Sequence, residues 1–143
     1  MNLITTIEPK KKFNFKELVQ YILTEYYDHN DVTLYISYND KVCDHFSVED
    51  TRIDALLEKS KIEHTYNLIL REGADMKIII PHEMVHLHQY EIGDLKIKQE
   101  DNKTIFIYKD IEYDASTPYK NRPWEKEAHD LDYKLFKLFK KNV

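Results

Sequence analysis

Apolar residues at helical spacing define the first long segment of the chain. The residues after Asn14 place Leu18, Ile22 and Tyr26 on one face of a helix, and asparagine is a residue type that caps helices. The segment 47–60 carries a second, shorter helical pattern, with apolar side chains at positions 53, 56 and 57. The first half of the chain therefore predicts two helices.

Alternation of apolar and polar residues predicts several strands. β-branched and aromatic residues dominate 31–38 and 61–70, and a weaker strand pattern covers 41–48. Two alternating runs within 95–114 flank a polar turn at residues 101–103, which is the pattern of a β-hairpin.

The last segment returns to helical spacing. Asn121 is a possible cap and Pro123 suits the first helical position. Apolar residues then recur from Trp124 to Leu138, and they predict a C-terminal helix that packs on the core.

Three of the seven histidines lie within the stretch IIIPHEMVHLHQY, residues 78–90. His82, Glu83 and His86 form the pattern H-E-x-x-H. Side chains four positions apart lie on one face of a helix, so both imidazoles can reach a single zinc ion. Glu83 then lies beside the ion, where it can take a proton from a water molecule that the metal activates. Because apolar residues flank the motif, we expect an interior helix with a zinc site and with Glu83 as general base.

Neighbouring residues refine this interpretation. Proline removes a backbone hydrogen bond, so the helix is expected either to begin near Ile78 or to kink at Pro81. His88 projects away from the face of the other two histidines and is not expected to bind the metal. Gln89 and Ile92 stand where the extended metzincin pattern requires glycine and histidine, which excludes that arrangement.

A catalytic zinc ion usually has three protein ligands and one open position, so a third ligand must come from outside the motif. The C-terminal helix offers Glu127, Glu125 and His129. Glu127 is the preferred candidate, because it lies at the edge of the apolar stripe, where an unpaired carboxylate would be costly. Glu125 and His129 stay open as alternatives, and Glu125 also suits the exposed first turn of a helix.

Composition narrows the possible partners. The formal net charge is -5, so the chain lacks a basic field for binding nucleic acid. The single cysteine, Cys43, fits a reducing compartment, and no run approaches the ~20 apolar residues of a membrane span. We therefore expect a cytoplasmic protein with a peptide or protein substrate, and neither nucleic acid nor a membrane as its partner.

The pairing of HEMVH with EKEAHDLD on a later helix resembles the gluzincin class of zincin metallopeptidases, and the chain is similar in size to the minigluzincins. The sequence HEMVHLHQ, followed by a hairpin and by PYKNRPWEKEA, also resembles small uncharacterised metallopeptidase-like proteins encoded by bacteriophages. The resemblance covers 78–138. It implies a single-domain α+β zincin-like fold over 1–143, with a mixed sheet, an active-site helix and a C-terminal helix that carries the third zinc ligand. The implied roles are zinc ligation by His82, His86 and Glu127, general-base catalysis by Glu83, and orientation of a histidine ligand by Asp130.

The expected function is that of a zinc peptidase. His129, Tyr119, Tyr133 and Arg122 are the candidate donors to the oxyanion of the transition state. The strand 61–70 would form the cleft edge that pairs with an extended peptide.

Two other functions stay open. One is a non-enzymatic protein that zinc stabilises and that binds a partner, such as a virion or regulatory component. Such a protein would not need a base beside an open coordination position. The other is a hydrolase of a non-peptide amide.

Overall fold

The computed structural model describes residues 1–5, 14–47 and 52–142. It has an α+β fold with a mixed sheet, as the sequence predicts. The elements run in the order β1 (Asn2–Thr5), α1 (Phe15–Gln20) with a π-helical continuation (Tyr21–Tyr26), β2 (Thr33–Tyr38), α2 (Asp40–Phe46), β3 (Ala55–Lys59), β4 (Thr65–Leu70), α3 (Met76–Glu91), β5 (Leu95–Glu100), β6 (Lys103–Tyr108), β7 (Ile111–Asp114), a 3₁₀ turn (Tyr119–Asn121) and α4 (Pro123–Asn142).

The larger sheet has the strand order β1-β2-β4-β3. The strands β1, β2 and β4 are parallel, and β3 runs antiparallel to β4. Alternate residues of the two inner strands, such as Leu34, Ile36, Leu68 and Leu70, are fully buried or nearly so. Their cluster also contains apolar side chains of α1, α3 and α4, so α3 lies within the main core.

The smaller sheet has the order β5-β6-β7 and packs against the start of α4. Leu95, Tyr108 and Trp124 form its buried cluster. The Trp124 ring lies 5.0 Å from the Phe106 ring and 5.3 Å from the Tyr113 ring, measured between centroids. These contacts fix the rotation of α4 about its own axis, and this rotation decides which side chains face α3.

Several predicted elements are confirmed. The first helix begins after Asn14, whose side chain accepts a hydrogen bond from the backbone N–H of Lys16. The strand at 31–38 is β2, the hairpin is β5 and β6, and the C-terminal helix begins at Pro123. Sequence analysis did not predict β1 and β7.

Two predicted elements are wrong. The segment 41–48, expected as a strand, contributes to helix α2, which Asn39 caps by accepting from the backbone N–H of Val42. The segment 47–60, expected as a helix, contains strand β3, although 48–51 lie outside the described residues. Leu56 pairs with Ile69 of β4, because a partner strand overrides a short helical pattern.

The strand at 61–70 is confirmed as β4, but its expected place at the cleft edge is wrong. β4 is paired on both sides, with β2 and with β3, and β3 is the outer strand on that side of the sheet. The residue pattern of one strand does not show whether the strand lies inside the sheet or at its edge, because strand order follows from long-range pairing.

Candidate metal centre

Helix α3 presents the H-E-x-x-H residues from within the core. It begins at Met76, and Asp75 caps it by accepting a hydrogen bond from the backbone N–H of Lys77. The expected start near Ile78 is therefore wrong, and Pro81 lies inside the helix. Proline has no N–H to donate to the preceding turn, but the fully buried side chains of Ile80 and Met84 hold the helix on the core.

Three donor atoms converge between α3 and α4. The Oε1 atom of Glu125 lies 3.0 Å from His82 Nε2 and 2.8 Å from His86 Nε2. The two histidine nitrogens are 3.2 Å apart. The exposed fractions of the three side chains are only 13% for His82, 9% for His86 and 15% for Glu125. The described structure therefore brings together two imidazoles and one carboxylate, the donor types that bind divalent transition metals.

Glu125 occupies the position that sequence analysis assigned to Glu127. Glu127 instead accepts a hydrogen bond of 2.7 Å from Gln89 Nε2 and lies 4.0 Å from Lys109 Nζ. Along a helix the two glutamates point roughly 200° apart, so they flank opposite sides of the buried stripe. The packing of Trp124 turns the Glu125 side toward α3.

Opposite charges stabilise this cluster. Burial opposes the charged form of His86, but the hydrogen bond and charge of Glu125, with the charge of Glu83, raise the pKa of His86 to about 9. Burial likewise opposes ionisation of Glu125, yet the hydrogen bonds of both histidines hold the pKa of Glu125 well below its usual range. Without a metal, the site is thus an ion pair between the carboxylate and an imidazolium.

Glu83 is half-buried on the same helix. Burial raises the pKa of Glu83, while the charges of His86 and His82 lower it and the charge of Glu125 raises it. Glu83 is therefore electrostatically coupled to all three converging residues. A carboxylate whose pKa is raised is a stronger base, and it is better suited to accept a proton.

Each histidine has a second partner behind it. His86 Nδ1 lies 2.8 Å from Gln89 Oε1, and His82 Nδ1 lies 3.6 Å from Asp132 Oδ2. Asp132 is buried, whereas Asp130, the residue expected to orient a histidine, is exposed. The structure thus places Asp132, and not Asp130, beside a histidine, because α4 is rotated relative to the phase that the sequence analysis assumed.

Sequence reasoning missed Gln89 and Asp132. A usable signal existed on α4, because Glu125, His129 and Asp132 are spaced at four and three positions and share one flank of the helix. Three groups that can bind metal on one flank are a stronger indication than a single glutamate beside an apolar stripe.

Tyr119 and His129 lie at the outer side of the centre. The Tyr119 hydroxyl is 3.0 Å from Glu125 Oε1 and 2.9 Å from His129 Nε2. The hydroxyl has one proton, and an ionised Glu125 can only accept, so His129 donates from Nε2 to the tyrosine oxygen. Donor atoms of His82, Glu125 and His129 also lie within 4.8 Å of one another, which makes His129 a possible further ligand.

The other candidate donors are engaged elsewhere. Arg122 donates to the backbone oxygens of Thr117 and Ala115, at 3.0 and 3.2 Å. Tyr133 is exposed, and Lys137 Nζ lies 4.7 Å from the centroid of its ring. Tyr119 and His129 are therefore the candidate donors that the structure places beside Glu125.

His88 lies on another face of α3. Its ring stacks on Tyr27 at 3.8 Å, and its Nδ1 lies 2.8 Å from His29 Nε2. This placement agrees with the expectation that His88 projects away from the other two motif histidines.

A pocket of about 690 Å³ opens between β3 and β5. Leu57, Lys59 and Tyr90 contribute to its lining. Burial and the charges of Glu83 and Glu125 raise the pKa of Tyr90 to about 12, so this tyrosine lies within electrostatic range of the centre. The lining of the pocket thus includes a residue that the charges of Glu83 and Glu125 reach.

The helices in the described part of the chain are too short or too polar to cross a membrane. Comparison of the chain with protein-family models, with curated proteins and with solved structures gave no match.

Proposed function

We propose that this protein is a zinc-dependent metallopeptidase with a zincin-like arrangement, in which His82, His86 and Glu125 hold the metal and Glu83 is the general base. The observation that carries the proposal is the convergence of three donor atoms within 3.2 Å of one another, next to a glutamate of the same motif. Glu125 replaces Glu127 as the proposed third ligand.

The donor set fits zinc. Tetrahedral ligands at about 2.0 to 2.1 Å from zinc lie roughly 3.3 to 3.4 Å apart. The three donor atoms are separated by 2.8, 3.0 and 3.2 Å, so a shift of a few tenths of an ångström would accommodate the ion. Two histidines with one carboxylate also match some non-haem iron sites, so metal analysis belongs in the test.

The surroundings favour a site with an open position over a closed structural site. His129 Nε2 is held by Tyr119, and its proton points toward the tyrosine oxygen. A nitrogen that carries this proton has no lone pair for a metal. His129 would have to give up this bond to become a fourth ligand.

Each residue has a definite task in the proposed reaction. When bound, zinc would polarise the substrate carbonyl and lower the pKa of a water molecule. Glu83 would accept the proton from the attacking water and pass it to the departing amine. Tyr119, whose pKa is raised by burial and by the charge of Glu125, stays protonated, and it would turn its one proton from Glu125 Oε1 to the oxyanion.

A peptide substrate fits the neighbouring surface. β3 is one of the two outer strands of the larger sheet among the described strands, and an extended peptide can pair with such an edge. The pocket between β3 and β5 would receive side chains of the substrate.

The proposal is tested by metal analysis together with cleavage of a broad peptide library. We compare wild type with Glu83→Gln, which keeps the size but cannot accept the proton, and with Asp130→Asn as a control on an exposed carboxylate. We expect one equivalent of zinc in all three proteins and a loss of about 10² to 10⁴ in rate for Glu83→Gln alone.

Three outcomes would contradict the proposal. Full activity in Glu83→Gln would assign the cleavage to another site or to a contaminant. Stoichiometric zinc in wild type and Glu83→Gln, with no cleavage by either, would favour the non-enzymatic alternative. A stoichiometric content of iron would show that the bound metal is not zinc, and it would argue against the hydrolytic reaction.

A further inference from the structure

A buried amide connects the candidate metal centre to Glu127. Gln89 is fully buried, and each end of its amide has a partner. Its Oε1 lies 2.8 Å from His86 Nδ1, and its Nε2 donates to Trp124 O at 3.0 Å and to Glu127 Oε1 at 2.7 Å. Leaving a buried amide unsatisfied is costly, so this set of partners holds Gln89 in one orientation.

The partners of Gln89 decide which nitrogen of His86 carries a proton. The carbonyl oxygen of Trp124 can only accept a hydrogen bond, so the NH₂ group of Gln89 must face it. The amide oxygen then faces His86, and His86 must donate from Nδ1. Nε2 is left as the nitrogen that faces Glu125 and His82. A neutral His86 therefore presents its lone pair at the convergence point.

Glu127 secures this orientation from the far side. Its carboxylate receives the hydrogen bond of Gln89. Burial and the charge of this carboxylate raise the pKa of the Tyr108 hydroxyl. Lys109 Nζ lies 4.0 Å from its other oxygen. The carboxylate of Glu127, on α4, thus contacts Gln89 of α3 and faces Lys109 at the end of β6. These partners fix the orientation of the carboxylate relative to Gln89.

We infer that Gln89 and Glu127 are positioning residues for His86. Glu127 holds the amide of Gln89, and the amide fixes the tautomer and the ring plane of His86. The inference rests on the proposed function for its consequence in metal binding. A carboxylate at the end of such a chain also increases the basicity of the ligand nitrogen, because each donated hydrogen bond polarises the next group.

Methionine and glutamine substitutions test the connection at nearly constant side-chain size. Gln89→Met removes both functions of the amide, and Glu127→Met removes the acceptor for Gln89. Glu127→Gln keeps an acceptor oxygen at the same place, and Asp130→Asn is the control for loss of a carboxylate on α4. Because the Glu127 side chain is 32% exposed, the Glu127 variants should fold even if Gln89→Met does not.

Zinc affinity is measured by competition with a chelating indicator. We expect Gln89→Met to weaken binding by about 10- to 100-fold and Glu127→Met by up to about tenfold. Glu127→Gln should restore most of the loss, and Asp130→Asn should change little. The double variant Gln89→Met/Glu127→Met should bind no more weakly than Gln89→Met alone, since Glu127 acts through Gln89.

A second measurement does not need zinc. In metal-free protein with ¹⁵N-labelled histidine, at a pH above the His86 pKa of about 9 where the ring is neutral, NMR shows whether Nδ1 of His86 carries the proton. We expect a protonated Nδ1 in wild type and in Glu127→Gln, and exchange between tautomers in Gln89→Met.

The two measurements separate the possible failures. An unprotonated Nδ1 in wild type, or losses in zinc affinity that add in the double variant, would overturn the inference. A wild type that binds no zinc but shows Nδ1 protonation that depends on Gln89 and Glu127 would overturn the proposed function and leave the positioning of His86 established.

Discussion

Replacement of Glu125 by glutamine is expected to weaken zinc binding much more than the same replacement of Glu127. Glutamine keeps the shape of the side chain but removes the negative charge. One oxygen of Glu125 approaches both His82 and His86, at 3.0 and 2.8 Å, so the change acts directly on the convergence point. At Glu127 the bond to Gln89 can persist, because an amide oxygen also accepts.

The magnitude follows from the number of ligands. Structural zinc sites with four ligands bind with about 10 to 16 kcal/mol, so one ligand contributes roughly 3 to 4 kcal/mol. This energy corresponds to a loss of about 10² to 10³ in affinity for Glu125→Gln. Glu127→Gln acts only through Gln89 and should lose less than about tenfold.

Competition with a chromophoric chelator at pH 7 measures both losses on metal-free protein to which zinc is returned. Circular dichroism checks that each variant is folded, and Asp130→Asn controls for the removal of a carboxylate from α4. Equal losses at Glu125 and Glu127, or a larger loss at Glu127, would refute the assignment of the third ligand.

Other predictions concern stability, donors and pH. At zinc concentrations a hundred times the dissociation constant, the metal stabilises the fold by about 2.7 kcal/mol, so chelation should lower the melting temperature by roughly 5 to 10 °C in calorimetry; an unchanged value would argue against a bound metal. Tyr119→Phe should lower kcat by about 10² to 10³ and leave the zinc content intact, whereas unaltered kcat would remove Tyr119 from catalysis. Leu68→Ala in the fully buried centre of β4 should cost about 2 to 5 kcal/mol in urea unfolding, against about 0.5 kcal/mol or less for Ile97→Ala on the exposed face of β5. The hydrogen bond and charge of Glu91 raise the pKa of His64 above 6.5, so the contribution of this pair to stability is present below about pH 6.5 and is lost as the pH rises through the pKa of the folded state. Proton NMR should show this raised pKa and its decrease in Glu91→Gln; equal values in both proteins would contradict the pairing.

The sequence by itself determined the local arrangement of the H-E-x-x-H motif. Helical geometry places residues four apart on one face, so the convergence of His82 and His86 followed from their spacing alone. Periodicity likewise predicted β2, the hairpin and the start of α4, because each of these is a local pattern bounded by a turn or a cap.

Tertiary structure decided the strand order and the identity of α2 and β3. Short segments such as 41–48 and 47–60 carry weak periodicity. Long-range pairing with β4 makes a strand within 47–60, whereas 41–48 contributes to a helix that Asn39 caps. The same pairing made β3, and not β4, an outer strand of the sheet.

Tertiary structure also decided which glutamate meets the histidines. Glu125 and Glu127 flank the same buried stripe, and their residue types do not distinguish them. The aromatic cluster around Trp124 sets the rotation of α4, which turns Glu125 toward His86 and Glu127 toward Gln89. The rings that contact Trp124, those of Phe106, Tyr108 and Tyr113, lie outside α4, so a local pattern within this helix carries no information about the rotation.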